Sequence, residues 1–264
     1  MSEYAIETQD LTRTFGAQTA VDHLTLQVPE GSFYGFMGPN GAGKSTTINI
    51  LTGLLAPSSG SARVLGFDVA RQDLEVKRRI GVVPDGLHLF ERLTGEEHLR
   101  FVAEIHGLSP AVARERAREL IAAMHLEGAA HRPISGFSHG MRKKLALSCA
   151  LIHEPRVLFL DEPFEGIDAI ATSEIRDLLR QLVSVRRVTV FLTSHVLEVV
   201  ERLCTHVGII AGGRLVANGS LDELRRDEHG GVHSLEELFL KRVGAPRSEP
   251  GAGLDWLTRG EAGA

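Results

Sequence analysis

Nine consecutive residues combine glycines, a lysine and hydroxyl side chains at a spacing suited to holding phosphate groups. They are Gly38, Pro39, Asn40, Gly41, Ala42, Gly43, Lys44, Ser45 and Thr46. Glycines let the backbone approach a phosphate closely, so that successive amide N–H groups point at the anion. In this pattern the lysine supplies positive charge to the outer phosphates, and the first hydroxyl can ligate Mg²⁺. The segment therefore predicts a site for a phosphate-bearing ligand and its metal ion.

Such a loop must lie between a buried strand and a helix, and the flanking residues fit both elements. The aromatic and apolar run 33–37 before it predicts a strand. After it, Ile48, Leu51 and Leu55 recur at helical spacing. A helix that starts near Lys44 directs the positive end of its dipole at the bound anion. This order favours ligand binding over a glycine-rich turn that binds nothing.

A pair of acids, Asp161 and Glu162, follows directly after the short apolar run 157–160. An acid at the end of a buried strand can hold Mg²⁺ through water, and the adjacent acid can polarise an attacking water molecule. An exposed turn is the alternative, since Pro163 comes next. Because a phosphate-binding loop lies elsewhere in the chain, the metal and water roles are the favoured interpretation.

Three further positions end predicted strands or begin a helix. Asp85 follows the predicted strand 80–84, and His195 follows a strand rich in β-branched residues. A histidine at the end of a strand is a candidate hydrogen-bond partner for a terminal phosphate. Ser138 can cap a helix whose free amide N–H groups would face an anion. A structural histidine and an ordinary N-cap are alternatives that the residues themselves leave open.

The elements that would position these side chains alternate between strands and helices, apart from two regions. Residues 4–36 have the pattern of β structure, and residues 94–155 are almost wholly helical. The alternation elsewhere predicts a parallel sheet, with the chemistry gathered at the carboxyl ends of its strands. We therefore predict an α/β fold with a mostly parallel sheet, an N-terminal antiparallel β subdomain and an inserted helical subdomain over about 87–155.

The last part of the chain predicts a hairpin, a helix and a tail. The runs 207–210 and 214–217 are joined by Ala-Gly-Gly, which is typical of a hairpin. A helix is predicted over 235–243. Residues 244–264 are rich in Gly, Ala, Pro and Ser, which predicts a disordered tail. The role of Trp256 within this tail is open.

Composition argues against several classes of function. The chain has 264 residues and a net charge of −5, so it has no overall basic field for nucleic acid. The basic clusters 114–118 and 142–144 fit solvated helix faces. Two cysteines, Cys149 and Cys204, make no disulfide framework. Without a signal-peptide pattern or a membrane-spanning run, we expect a cytoplasmic protein that reaches a membrane only through a partner.

Taken in order, these residues resemble the nucleotide-binding subunit of an ATP-binding-cassette (ABC) transporter, over about residues 4–242. The loop 38–46 is similar to the family's phosphate loop, 157–162 to its second acidic motif, and His195 to its switch histidine. The family's signature motif is matched by Phe137, Ser138, His139, Gly140 and Met141.

The resemblance implies a P-loop NTPase core and one nucleotide-binding domain over residues 1–243, with ATP and Mg²⁺ as cofactors. Two copies, or this chain and a related subunit, would pair head to tail. Each ATP would then lie between residues 38–46 of one chain and 137–141 of the other. A separate transmembrane permease subunit would hold the pair at the cytoplasmic face of the membrane, without direct binding of nucleic acid. The lone-chain organisation and residues 235–239 resemble bacterial exporters of drugs, antibiotics or lipids.

Individual roles follow from the same resemblance. Glu162 would orient or activate the attacking water, Lys44 would stabilise the developing charge, and His195 would contact the γ-phosphate. Phe15 would stack on adenine. The metal ligands would be Ser45, Asp161 and Asp85.

Two residues depart from the family pattern. Asp85 stands where the family usually has glutamine, and His139 replaces a glycine of the signature, so slow hydrolysis is a further expectation. These departures keep open a weakly catalytic, regulatory ATP-binding module. The other alternative is a soluble, non-transport ABC ATPase acting on ribosomes or DNA, although such proteins usually carry paired cassettes or coiled coils.

Overall fold

Two β-sheets form the framework of the protein, whose computed structural model describes residues 3–226 and 234–244. In chain order the strands are β1 (Tyr4–Phe15), β2 (Gln18–Leu24), β3 (Gln27–Pro29), β4 (Phe33–Met37), β5 (Ser59–Val64), β6 (Phe67–Asp68), β7 (Ile80–Val83), β8 (Val157–Asp161), β9 (Thr189–Ser194), β10 (His206–Ala211) and β11 (Arg214–Ser220). The predicted tail, including Trp256, lies outside the described residues except for Gly244.

The first sheet is antiparallel and is built around the long strand β1. Strand β1 pairs with β2, β3 and β5, and β6 extends the sheet beyond β5. The second sheet has the order β11-β10-β4-β9-β8-β7, in which neighbours from β10 to β7 run parallel and β11 is antiparallel. These pairings confirm the predicted α/β fold with a mostly parallel sheet and an N-terminal antiparallel subdomain.

The parallel strands end together at one edge of the second sheet. Met37 at the end of β4 pairs with Ser194 at the end of β9, and Asp161 at the end of β8 pairs with Thr193. Loops at this edge of a parallel sheet meet in space although they are far apart in the chain. The loop 38–43 and the segments after β8 and β9 therefore lie side by side.

Helices pack against the second sheet and form most of the segment between β7 and β8. In chain order they are α1 (Lys44–Leu51), α2 (Asp73–Lys77), α3 (Gly95–Ile105), α4 (Pro110–Ala123), α5 (His139–Leu151), α6 (Ala169–Arg186), α7 (Leu197–Leu203), α8 (Leu221–Leu224) and α9 (Leu235–Val243). The sequence predicts the helical insert from about residue 87, but α3 starts only at Gly95, because Thr94 and Glu97 form a capping box there. Residues 86–93 form an irregular loop before α3.

Two hydrophobic cores pack against opposite faces of the second sheet. On β8, Phe159 belongs to the core beneath the antiparallel sheet, whereas Leu158 and Leu160 belong to the core beneath helices α3 to α6. Phe36 and Phe159 both pack against the ring of Phe191, with ring centroids 5.3 and 5.6 Å apart. These aromatic contacts tie β4, β9 and β8 together just below the edge where the polar residues gather.

The basic cluster 142–144 is not the solvated helix face that its spacing predicts. Lys143 and Lys144 are only 3% and 8% exposed. Lys144 forms an ion pair with Glu174 on α6. The prediction is wrong because α5 packs against β7, α3, α4 and α6, so that its long polar side chains reach buried partners.

Both cysteines are free thiols held close to the helical core. Cys149 on α5 is partly buried, and Cys204 after α7 is buried. Burial raises the pKa of the Cys149 thiol to about 12. Burial also raises the pKa of the Cys204 thiol.

Two histidines stack where α3 and α5 end. The rings of His106 and His153 are nearly parallel, with centroids 3.7 Å apart. The Nε2 atom of His153 donates a hydrogen bond of 2.8 Å to the carbonyl oxygen of Ile80. Burial, helped by the neighbouring His106, lowers the pKa of His153 to about 4, and burial lowers the pKa of His106 as well. Both rings are therefore neutral in the folded protein at neutral pH.

Acidification is expected to destabilise the protein through this pair. Because the folded pKa of His153 lies below its unfolded value, the unfolded chain binds this proton first as the pH falls. The contribution of the neutral His153 ring to the free energy of unfolding is fully present above about pH 6.5 and is lost as the pH falls towards 4. Between pH 7.5 and 5.0 we expect a loss of about 1–2 kcal/mol in the free energy of unfolding.

Urea unfolding at the two pH values measures this loss, and His153→Gln provides the control. Glutamine can still donate to the Ile80 carbonyl but does not titrate, so the variant should lose less stability than the wild type over the same range. If both proteins lose the same amount, His153 does not govern the effect.

Candidate functional site

The loop between β4 and α1 folds tightly against neighbouring backbone. Gly43 has a φ of 109°, and a Cβ atom there would collide with the carbonyl oxygen of Ala20. A Cβ atom at Gly38 would collide with the carbonyl oxygen of Ile210. Glycine is therefore required at both positions, and α1 starts directly after Gly43, with Lys44 as its first residue.

Lys44 is a buried cation held by carbonyl groups. Its side chain is 7% exposed, and its Nζ atom donates to the carbonyl oxygens of Gly38 at 2.8 Å and Pro39 at 3.3 Å. Within the described part of the chain, no carboxylate forms an ion pair with it. A buried ammonium without an acidic partner is suited to a bound anion, which would complete its charge balance.

A cleft of about 670 Å³ lies in front of this loop at the carboxyl edge of the parallel strands. Of the residues that the sequence singles out, it is lined by Phe15, Asn40, Gly41, Gly43, Lys44, Ser45, Thr46, Asp85, Asp161, Glu162 and His195. Gln18, Ala20 and Glu165 also line the cleft, and of these Gln18 and Ala20 belong to no motif that predicts this. Gln18 is brought there by its pairing with Phe15 across the β1–β2 turn.

Asp161 and Glu162 are fixed by one threonine on the neighbouring strand. The Oγ1 atom of Thr193 donates to Oδ1 of Asp161 at 2.6 Å and accepts a hydrogen bond of 3.0 Å from the backbone N–H of Glu162. Asp161 is 6% exposed. Thr193 thus fixes the carboxylate of Asp161, which lines the cleft, and the backbone position of Glu162 directly after β8.

The side chain of Glu162 reaches towards His195, with 3.1 Å between its Oε2 atom and Nδ1 of the histidine. One ligand atom from each of Glu162, Glu165 and His195 lies within 4.8 Å of the other two. Two of these three residues are exposed, and acids at a surface commonly gather without a metal. His195 therefore contacts Glu162, the acid that the sequence predicts to activate water.

Residues 137–141 lie outside this cleft, at the N-terminus of the 13-residue helix α5. Ser138 caps that helix by accepting a hydrogen bond of 3.2 Å from the backbone N–H of Met141. Phe137 is 6% exposed and packs beside Gly95 of α3, so its ring supports the turn from within. The ring of His139 lies next to Gly166, in the loop that follows β8. One chain therefore does not bring its two glycine-containing motifs to the same ligand.

Comparisons with known proteins agree with this geometry. A family model described as "ABC transporter" matches residues 21–165. The daunorubicin/doxorubicin resistance ATP-binding protein of Streptomyces peucetius is 42% identical over 221 residues, which cover 84% of this chain and 67% of that protein. The bacitracin transport ATP-binding protein of Bacillus licheniformis is 38% identical over 221 residues, which cover 84% of this chain and 71% of that protein.

Two solved structures are similar over most of the chain. One is described as the ATP binding subunit of an ABC transporter; it has a TM-score of 0.82 and 33% identity, and the match covers 90% of this chain and 98% of that one. The other is a dimeric ATP-binding cassette in a post-hydrolysis state bound to ADP and Pi. It has a TM-score of 0.75 and 25% identity, with coverage of 82% and 98%.

Proposed function

Because this chain belongs to the ABC transporter family, as an ATP-binding and ATP-hydrolysing subunit, we propose that it powers export of a drug or antibiotic through a separate membrane subunit. The observation that carries the hydrolytic role is the cleft that gathers Lys44, Asp161, Glu162 and His195 in front of the glycine-rich loop. The relatives that act in bacitracin transport and daunorubicin/doxorubicin resistance support the export role. They do not favour a soluble, non-transport ATPase. We propose that the nucleotide-binding domain spans residues 1–243.

We propose that Mg²⁺ accompanies the ATP and is held by Ser45, Asp161 and Asp85. All three line the same cleft and offer hydroxyl or carboxylate oxygens, which are the atoms that Mg²⁺ prefers. The bound ion would neutralise charge on the phosphate oxygens. Lys44 adds positive charge from the loop side, Glu162 orients the attacking water, and Phe15 at the rim stacks on adenine.

Replacing Asp85 with alanine is expected to raise the Mg²⁺ concentration needed for half-maximal hydrolysis several-fold. The carboxylate attracts the ion through water, and its loss lowers the negative charge of the site. A titration of hydrolysis with Mg²⁺ at fixed ATP measures the change. Asp222→Ala removes an acid of α8 outside the cleft and should leave the titration unchanged. An unchanged Mg²⁺ dependence in Asp85→Ala would remove this residue from the metal site.

We further propose that two chains share each ATP, with residues 38–46 of one chain and 137–141 of the other enclosing it. The position of residues 137–141 outside their own cleft supports this, as does the existence of a dimeric cassette among the similar structures. Two helix N-termini, α1 of one chain and α5 of the other, would then face one anion. ATP would hold the two chains together, and hydrolysis would release them.

The membrane subunit is expected to dock on an exposed apolar patch made of Phe90, Phe101 and Ile105. Their exposed fractions are 55%, 42% and 67%, and the rings of Phe90 and Phe101 meet edge to face with centroids 5.4 Å apart. Exposed apolar patches of this kind commonly mark interaction sites. Phe90 of this patch belongs to the loop 86–93, which starts directly after Asp85 of the cleft, so a change at the nucleotide has a short path to the partner.

Association with a membrane subunit tests the export role. Among the described residues, no helix is both long and apolar enough to cross a bilayer. We propose that the membrane subunit holds the chain at the cytoplasmic face. We expect a neighbouring gene to encode a multi-span membrane protein, and we expect the chain to copurify with that protein. Phe101→Ser with Ile105→Ser should abolish copurification, whereas Val185→Ser, at an even more exposed position on α6, should not. Unchanged copurification of the double variant would refute the docking surface, and transport without the chain would refute the function.

A further inference from the structure

Lys143 is a buried cation that contacts the main chain of Glu162, the residue that follows β8. It lies on α5 and is 3% exposed, and its Nζ atom donates a hydrogen bond of 2.7 Å to the backbone carbonyl oxygen of Glu162. Burial lowers the pKa of Lys143, while the nearby carboxylates of Asp85, Glu165, Glu162 and Asp161 act in the opposite direction. A lysine is seldom buried to this extent without a specific partner.

The residue that Lys143 holds has a strained backbone. Glu162 has a φ of 47°, in the left-handed region, which costs a residue with a Cβ atom about 1 kcal/mol or more. Such a conformation persists only where the surroundings impose it. Here the N–H of Glu162 is held by Thr193, and its carbonyl accepts from Lys143 at 2.7 Å and from the backbone N–H of Glu165 at 3.3 Å, so both peptide groups around its Cα are fixed.

We propose that Lys143 is a positioning residue for ATP hydrolysis, which holds the main chain of Glu162 so that its carboxylate meets the attacking water. The ammonium does not line the cleft and would not touch ATP itself. The inference rests on the proposed role of Glu162. It adds a second function to α5, whose N-terminus carries residues 138–141 and whose second turn carries Lys143.

The placement of both groups on α5 links the two ATP sites of a head-to-tail dimer. In that dimer the N-terminus of α5 would contact the ATP of the partner subunit, while Lys143 holds the catalytic acid of its own subunit. Any shift of α5 that accompanies ATP binding would therefore reach the main chain of Glu162 through the Lys143 hydrogen bond. Hydrolysis at one site would then depend on occupancy of the other.

Lys143→Met tests the proposal, because methionine preserves the apolar stem and removes the donor. We expect kcat to fall by about 10- to 100-fold, since displacement of a catalytic group by about 1 Å costs this much. The KM for ATP should stay within about threefold, because the side chain does not touch the nucleotide. The dependence of the rate on ATP should also become less cooperative. Lys143→Arg keeps a charged donor and should recover most of the lost rate.

Lys144→Met is the matched control, because Lys144 is the next buried lysine on α5 but pairs with Glu174 instead of Glu162. It should lower the melting temperature without the fall in kcat. The melting temperature and ATP affinity of every variant are measured alongside its rate. Equal losses of kcat in Lys143→Met and Lys144→Met would overturn the proposal, as would a normal kcat in Lys143→Met.

The double variant Lys143→Met with Glu162→Gln separates this inference from the function on which it rests. If Lys143 acts through Glu162, the double variant should be no slower than Glu162→Gln alone. Full activity of Glu162→Gln would refute the proposed catalytic role of Glu162 itself. Additive losses in the double variant, with Glu162→Gln slowed as expected, would refute only the positioning role of Lys143.

Discussion

Glutamine at position 162 is expected to reduce ATP turnover by about 100- to 10,000-fold while ATP binding remains intact, because general-base catalysis contributes about this much. The substitution keeps the size of the side chain, and the main chain stays held by Thr193 and Lys143. The amide cannot accept a proton from the attacking water. Phosphate release under saturating Mg-ATP measures the loss, and calorimetric titration measures the affinity.

The same variant should accumulate as an ATP-bound dimer. Since ATP would hold two chains together and cleavage would release them, a chain that binds without cleaving stays paired. Light scattering of Glu162→Gln should show a dimer with Mg-ATP and a monomer without it. Glu165→Gln alters the neighbouring acid of the same cleft and should lower turnover only a few-fold. A strictly monomeric Glu162→Gln protein at saturating Mg-ATP would contradict the shared-ATP arrangement.

Alanine at Gly43 is expected to weaken ATP binding by at least about 100-fold, which corresponds to about 3 kcal/mol. The new Cβ atom would collide with the carbonyl oxygen of Ala20, and the φ of 109° at this position is strained for any residue with a side chain. Because Lys44 follows directly, any backbone shift displaces the first turn of α1 and the ammonium that should meet the phosphates. Calorimetry with ATP and a thermal melt of the free protein measure the two effects.

Gly41→Ala is the control within the same loop. Gly41 also has a positive φ, of 79°, but no atom lies within 4 Å of a Cβ atom placed there. We therefore expect Gly41→Ala to reduce the free energy of ATP binding by only about 1 kcal/mol, through backbone strain alone. Wild-type affinity in Gly43→Ala, or equal losses in both variants, would show that the collision with Ala20 does not control the loop.

The fold and most of the cleft can be predicted from the sequence because their signals are local. The glycine spacing of 38–46 specifies a strand, loop and helix within a few residues, and Thr94 with Glu97 marks the start of α3 by a capping box. The acids after β8 and the histidine after β9 follow from the rule that parallel strands end at one edge. Each of these inferences needs only neighbours in the chain or the order of the strands.

Features that depend on packing between distant segments could not be predicted from local sequence patterns. A run such as Arg-Lys-Lys on a helix is typical of an exposed face, and only the packing of α5 against α6 and β7 buries Lys143 and Lys144. The left-handed backbone conformation of Glu162 could not be predicted from the sequence, because this conformation usually occurs at glycine. The hydrogen bond from Lys143 to that residue spans 19 positions and joins two motifs that the sequence presents as separate.

The shielded thiols make this protein convenient for spectroscopic labelling. The nucleophile in maleimide chemistry is the thiolate, and a pKa of about 12 leaves fewer than about one in ten thousand Cys149 side chains in that form at pH 7.5. Cys204 is buried and is shielded in the same way. A single cysteine introduced at an exposed position such as Ser184 on α6 should therefore take up a fluorophore or spin label selectively. Distances between two labelled copies then become measurable without first removing the native sulfur atoms.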